Sequence, residues 1–422
     1  MISATQGEAS THGTALSTRR VTRAFLIASS LVAAGGAIGI LSVTGITTQA
    51  GGSRAAYYTA LYLAVVSAAT ALTMPYGPRI CHLFGTRRAF VLAQALLAVA
   101  WLCAGILIFA GAPEMTVLLT SALVFGICTS VAMLVAPMIN KAYMSGATMS
   151  GAYARTSEIK GVAAVFGSIL GGVLLTVAAP GWGMIINGLL FLPLALIAAL
   201  RPPANIPPDP AKAGRPWRDI RDIFVTNRQM RTVAIVACAM VIFIAPLNTL
   251  IVPITDDLRQ APLLAAAGLL SAAIGLGRCF SAMLVDRLSR GRTELTASVL
   301  ADVGAGVVLL LFALSSALLT GPVELMVWVP IGIAYGALRF AGRALNVGAA
   351  NDAAAAHHPA QALAALFLVS SLVAPLGVMM WGILIDETST TAAVTVAAIG
   401  IFVIIAAFTY RRPASPLSPG TD

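Results

Sequence analysis

Only 10% of the 422 residues are charged, so the side chains that could do chemistry are quickly found. Arg278, Arg339 and Arg343 sit inside long apolar runs, and so does Asp302. A cation in hydrocarbon costs a few kcal/mol unless it is paired or hydrated, so each needs a partner. Take the runs from Ala261 to Leu284 and from Leu295 to Thr320 as neighbouring antiparallel helices. Arg278 then lies eight residues, or about 12 Å, from Asp286, and Asp302 lies eight residues from Glu294, at similar depth. The two are expected to form a buried pair or to share a charge network that includes Arg343. Such a pair neutralises itself and is not available to a solute. Arg339 and Arg343 are one helical turn apart on one face and have no matching acid. Arg343 is near enough to the end of its run to snorkel; Arg339 is deeper. The four histidines, His12, His82, His357 and His358, fall in tails or loops, and the five cysteines have no C-x-x-C spacing. Metal, cofactor and acid-base catalysis therefore have little to work with, and no enzyme is expected.

What positions these charges is a set of hydrophobic helices. The chain is 59% hydrophobic with a mean hydropathy of +0.91, far outside soluble composition. A net charge of +10 would suit nucleic acid only on a folded basic domain, and none is present. Twelve apolar runs approach the roughly 20 residues that cross a bilayer. They are Ala24–Thr48, Tyr57–Tyr76, Ala89–Gly111, Met115–Ile139, Thr156–Ala178, Trp182–Leu200, Thr232–Thr255, Ala261–Leu284, Leu295–Thr320, Val323–Gly348, Gln361–Ile385 and Thr391–Tyr410. With alternate loops on one side, 21 of the 26 Lys and Arg collect in loops and tails of one face, Arg155 and Lys160 among them. Lys and Arg favour cytoplasmic loops, so both ends are expected inside an inner (plasma) membrane. Residues 1–23 and 411–422 read as cytoplasmic tails, 24–200 and 232–410 as six-helix bundles, and 201–231 as the linker. Within the linker, Trp217 to Phe224 has the spacing of a short amphipathic helix, lying on the membrane surface or simply solvated.

Two hairpins lie at corresponding places. Val285-Asp286-Arg287-Leu288-Ser289-Arg290-Gly291-Arg292 joins the eighth and ninth runs, and Pro78 to Arg88, with His82, Gly85, Arg87 and Arg88, joins the second and third. Gly85 and Gly291 are 206 positions apart, about half the chain, so one unit is written twice. These hairpins resemble the G-x-x-x-D-R-x-G-R-R signature of the major facilitator superfamily. The second copy keeps Asp286, Arg287, Gly291 and Arg292; the first places His82 where the acid belongs. The resemblance implies an all-α membrane protein of twelve helices in two pseudo-symmetric bundles. It also implies that the hairpin residues form a conformational latch, by facing the amino end of a helix in the other half.

The resemblance further implies a central cavity lined by the first, fourth, seventh and tenth spans. Arg339, Tyr335, Asn248, Thr249, Thr44, Thr47, Thr129 and Ser130 are the expected lining, although single Thr and Ser residues commonly bond back to their own helix. Gly167-Ser168 and Gly171-Gly172 are similar to the tail of an exporter motif, with Ser168 replacing its proline, and Pro375 of the eleventh span is the expected packing partner. The implied function is alternating-access export of a sugar, drug-like compound or secreted metabolite. The alternative is an uptake symporter for a small anionic or hydroxylated solute. Protons are the implied coupling ion, with Asp302, Glu158 and Asp352 as the candidate carriers. A monomer in the lipid bilayer is expected, with no nucleic-acid partner. A membrane enzyme lacks a reactive cluster, and a receptor would normally carry a larger soluble domain.

Overall fold

The computed structural model describes residues 5–144, 148–203, 215–256, 263–319, 321–353 and 359–410, and among these the chain is helical, with no strand. Ten helices are long and apolar enough to cross a membrane. The first six spans are Arg20–Ala50, Ala55–Phe84, Thr86–Phe109, Glu114–Tyr143, Met149–Leu174 and Gly181–Leu200. The ninth to twelfth are Glu294–Leu318, Val323–Ala353, Pro359–Glu387 and Thr390–Ala407. Two more are broken. The seventh runs through Arg228–Ala239, Met240–Ile244, Pro246–Thr249 and Ile251–Asp256. The eighth is Leu263–Arg278 followed by Ser281–Leu288, bent by 43°. The first helix already begins at Thr5, within the stretch expected to be a tail. Residues 411–422, His357, His358 and Arg259 lie outside the described residues.

The element boundaries follow from local chemistry. Gly85 and Gly291 both have positive φ, 80° and 66°, which a side chain would disfavour, and each makes the tight turn between two spans. We call the end carrying these turns the basic end and the other the acidic end. Thr148 accepts a hydrogen bond from the Gly151 N–H at 3.0 Å, a cap that starts the fifth span at Met149 rather than at Thr156. Arg155 therefore lies within the helix rather than in a loop, and Lys160, counted with the loop cations although inside the expected span, lies well within it. In the seventh span Pro246 has no N–H and its ring crowds the carbonyl four residues back. The helix widens there, and the Ala245 N–H reaches back five residues to the Met240 carbonyl at 2.9 Å. Gly377 of the eleventh span lets the backbones close on this wide turn, since a Cβ there would lie 2.6 Å from Ile242 Cα.

Packing shows the internal repeat. The second span packs on the fourth, the third on the fourth and the third on the sixth; six spans later the eighth packs on the tenth, the ninth on the tenth and the ninth on the twelfth. The principal contacts between the two halves obey the same symmetry, second span against eleventh and fifth against eighth. The fifth-to-eighth seam is made of small residues. Gly161 faces Gly275, Ser168 meets the Ser271 hydroxyl at 2.8 Å, and Gly172 lies beside Gly268. The other face of the fifth span, Gly167 and Gly171, presses on Ala34 and Ile38 of the first. Small residues on both faces let three helix backbones approach closely where lipid offers no hydrophobic drive. The expected pairing with Pro375 is thus replaced by the eighth span. The linker contains the helix Pro216–Thr226, turned 103° from the seventh span. Its Ile220 and Ile223 are buried in a cluster that joins the basic ends of both halves.

Candidate functional site

Two cavities meet between the halves. One, of about 250 Å³, is bounded by the third, fourth, fifth, sixth, eighth, tenth and eleventh spans. From the fifth span come Tyr153, Thr156, Ser157 and Lys160, spaced i, i+3, i+4, i+7 on one helical face. Gln94, Asn140, Arg278 and Arg343 add to the polar wall. The second cavity, of about 230 Å³, lies between the second, fourth, seventh, tenth and eleventh spans. Its wall is mostly apolar, including Val66, Met240, Val241, Leu366 and Ala374, with Arg339 and Arg343 as its charges. Thr129, Met133, Arg343 and Phe367 line both, so the two chambers share a waist.

Among the described residues no acid lines either chamber, whereas Lys160, Arg278, Arg339 and Arg343 do. The ion pair of Arg218 with Asp222, at 4.0 Å, is on the linker helix and in neither wall. The cations are held by weaker contacts. Arg278 Nε donates to Ser157 Oγ at 2.8 Å, and its guanidinium lies 4.4 Å from the centre of the Phe340 ring. Arg339 rests near Tyr335 and Phe340, 5.9 and 5.4 Å from the ring centres, and its buried Nη1 has no hydrogen-bond partner. Gln94 Oε1, also buried, has none either. The arrangement concentrates positive potential in a low-dielectric space, where it attracts an anion more strongly than it would in water.

Several sequence expectations change here. Arg278 does not pair with Asp302. The break at Cys279 and Phe280 leaves Arg278 aimed at the fifth span, while Asp302 packs beside Gly342 of the tenth. Both carboxylate oxygens of Asp302 are buried without a hydrogen-bond partner. Of the eight expected lining residues, Arg339 and Thr129 face these chambers. The hydroxyls of Thr44, Ser130 and Thr249 bond to carbonyls of their own helices, Thr47 also meets Thr59 at 2.6 Å, and Tyr335 donates to the Ile244 carbonyl of the widened turn. Asn248 sits in the same broken stretch of the seventh span and is not in either wall. Lys160, Gln94, Asn140, Tyr153 and Ser157 were not expected in the site.

The hairpins carrying the implied latch residues lie at the basic end. Asp286, Arg287, His82 and Arg88 are solvent-exposed, and Arg292 reaches the Leu288 carbonyl of its own hairpin. Arg87 donates to the Ala198 and Ala199 carbonyls at the end of the sixth span, within its own half. Other residues tie the halves together. At the basic end Ser150 Oγ donates to the Glu294 carboxylate at 2.5 Å. Glu158 faces the backbone N–H groups of Ala282 and Met283, at the start of the second segment of the eighth span. At the acidic end the Tyr57 N–H donates to the Asp386 carboxylate at 2.8 Å. The chambers are thus bracketed by polar ties between halves at both ends.

Comparison with known proteins agrees with this architecture. A sequence profile of the Major Facilitator Superfamily matches residues 24–377. No curated protein sequence matches the chain. Among solved structures, the human organic anion transporter MFSD10 (TETRAN) is similar with a TM-score of 0.65 at 13% identity, covering 93% of this chain and 99% of that one. A mutant of the nucleoside transporter NupG is similar with a TM-score of 0.66 at 13% identity, covering 92% and 99%.

Proposed function

The chain belongs to the major facilitator superfamily, and from that premise we propose that it exports a small molecule by alternating access through the central chambers. The observation that carries this reading is that two adjoining cavities with shared lining residues take their walls from both halves, while separate polar ties join the halves at either end. Rocking one half on the other about the small-residue seams would open one set of ties and keep the other. That exchange is the two-state element alternating access requires. Export is favoured over uptake because the Gly167-Ser168 and Gly171-Gly172 stretch, similar to the exporter motif, lies where the fifth span meets both the first and the eighth.

Protons are the proposed driving ion. Asp302 is the proposed carrier, because a buried carboxylate without a hydrogen-bond partner is costly when charged and gains from taking up a proton. The protein is proposed to act as a monomer with its basic end in the cytoplasm. The test uses inside-out vesicles containing the protein. Export coupled to protons predicts solute accumulation when the lumen is acidified, and none when the gradient is reversed. Accumulation under the reversed gradient alone would favour uptake.

A further inference from the structure

Four cations around two adjoining chambers, with no acid in the wall, are unusual in hydrocarbon. Arg339 is buried and Lys160, Arg278 and Arg343 are half-buried, so each carries part of a desolvation cost, and neighbouring like charges add repulsion. Arg278 is partly relieved by Ser157 and the Phe340 ring, but among the described residues none of the four has an anionic partner. Something else must supply the negative charge, and the wall shows what its shape would be. Lys160, Arg278 and Arg343 converge on the chamber that also offers Gln94, Asn140, Tyr153 and Ser157. Beyond the Met133 and Phe367 waist lies a mainly apolar space of about 230 Å³.

We infer that the cavity takes an amphipathic organic anion. Its carboxylate, sulfonate or phosphate head sits among Lys160, Arg278 and Arg343, and its apolar body passes the waist into the chamber of Val66, Met240, Val241 and Leu366. This rests on reading the chambers as the transport path. The planar guanidinium forks can hold an oxyanion bidentately, and the Lys160 ammonium adds a point charge from the opposite half. Arg343, shared by both chambers, faces the junction of head and body. A cation or zwitterion finds no acid to meet its positive group. A purely apolar solute leaves the cations uncompensated, and a bare inorganic anion leaves the second chamber unused.

The test measures binding to the full chain in nanodiscs of zwitterionic lipid. The probes are 2-naphthoate, naphthalene-2-sulfonate and 2-naphthyl phosphate, against neutral 2-naphthamide, cationic 2-naphthylmethylammonium, acetate and inorganic phosphate. At least one naphthyl anion is expected to bind about tenfold or more tighter than the amide, the amine and the small anions. Lys160→Gln and Arg343→Gln should each lose about tenfold in that affinity, while Lys160→Arg keeps it within about threefold. Equal binding of amide and anions, or acetate binding as tightly as 2-naphthoate, would overturn the inference on the wild-type protein alone, even where a variant does not fold. So would a folded Lys160→Gln protein with unchanged affinity. Counterflow of the bound anion in proteoliposomes separates this inference from the transport reading. Anion binding without counterflow removes the transport reading and leaves the ligand class. Counterflow of a neutral or cationic solute without anion binding does the reverse.

Discussion

Replacing Ser150 by alanine should unlock the basic end. Ser150 is buried at the start of the fifth span, and its hydroxyl donates to Glu294 Oε1 at the start of the ninth, in the other half. Glu294 Oε2 is buried beside Gly348 and has no hydrogen-bond partner, so this hydroxyl is the bond the carboxylate retains. A hydrogen bond to a charged group contributes about 1.5–3 kcal/mol, and because the Glu294 side chain is only partly buried the lower figure applies. At about 1.4 kcal/mol per decade, the ratio of closed to open states at the basic end should fall about tenfold. The assay is electron-electron distance measurement between spin labels at Leu83→Cys and Arg290→Cys, exposed residues on opposite halves, in a background without the five native cysteines. Ser150→Ala should add a population at longer distance, and the acidic-end tie between Tyr57 and Asp386 should leave labels at that end at equal or shorter separation. An unchanged distance distribution in a folded Ser150→Ala protein would refute the reasoning that this bond holds the halves together.

Other outcomes follow from the same geometry. Gly377→Val puts side-chain atoms where a Cβ alone would lie 2.6 Å from Ile242 Cα, so it should cost about 1–3 kcal/mol by overpacking and lower the melting temperature of the purified protein. A wild-type melting temperature would mean the eleventh span does not depend on that approach. Arg87→Gln removes bonds confined to the first half, so stability should fall while the Leu83-to-Arg290 distance distribution stays as in the parent. A shift toward the open population would mean that Arg87 contributes to a latch between the halves. Asp302→Asn should abolish gradient-driven accumulation yet leave solute counterflow intact, because exchange requires no net proton movement; accumulation that survives would dismiss Asp302 as the carrier.

Position along each helix is readable from the sequence, and rotation about its axis is not. Counting 1.5 Å per residue puts Arg278 and Asp302 at similar depth, and Asp302 is buried and Arg278 half-buried, but nothing in the count says that Arg278 looks toward Ser157 while Asp302 looks toward Gly342. The repeat was legible because Gly85 and Gly291 mark the same turn in each half, and their positive φ values are the physical cause. Lys160 is missed by counting it among the loop cations of one face although it falls inside the expected fifth span, and the Thr148 cap, which starts that span earlier, adds Tyr153 to the same helix. The signal was present, since Tyr153, Thr156, Ser157 and Lys160 keep helical spacing across the supposed boundary. The polar lining was overestimated from Thr44, Ser130 and Thr249, whose hydroxyls turn back to their own carbonyls as isolated hydroxyls in apolar helices generally do. The break in the seventh span was signalled by Pro246, but that the helix answers with a wider turn depends on how Gly377 packs there.

The claim on which the rest depends is that the chambers open to each side of the membrane in turn. A single cysteine at Thr129, the waist residue common to both chambers, reports on it directly in a protein without the five native cysteines. A membrane-impermeant thiol reagent should label Thr129→Cys in both right-side-out and inside-out vesicles. Labelling from one side only, under every gradient applied, would contradict the account.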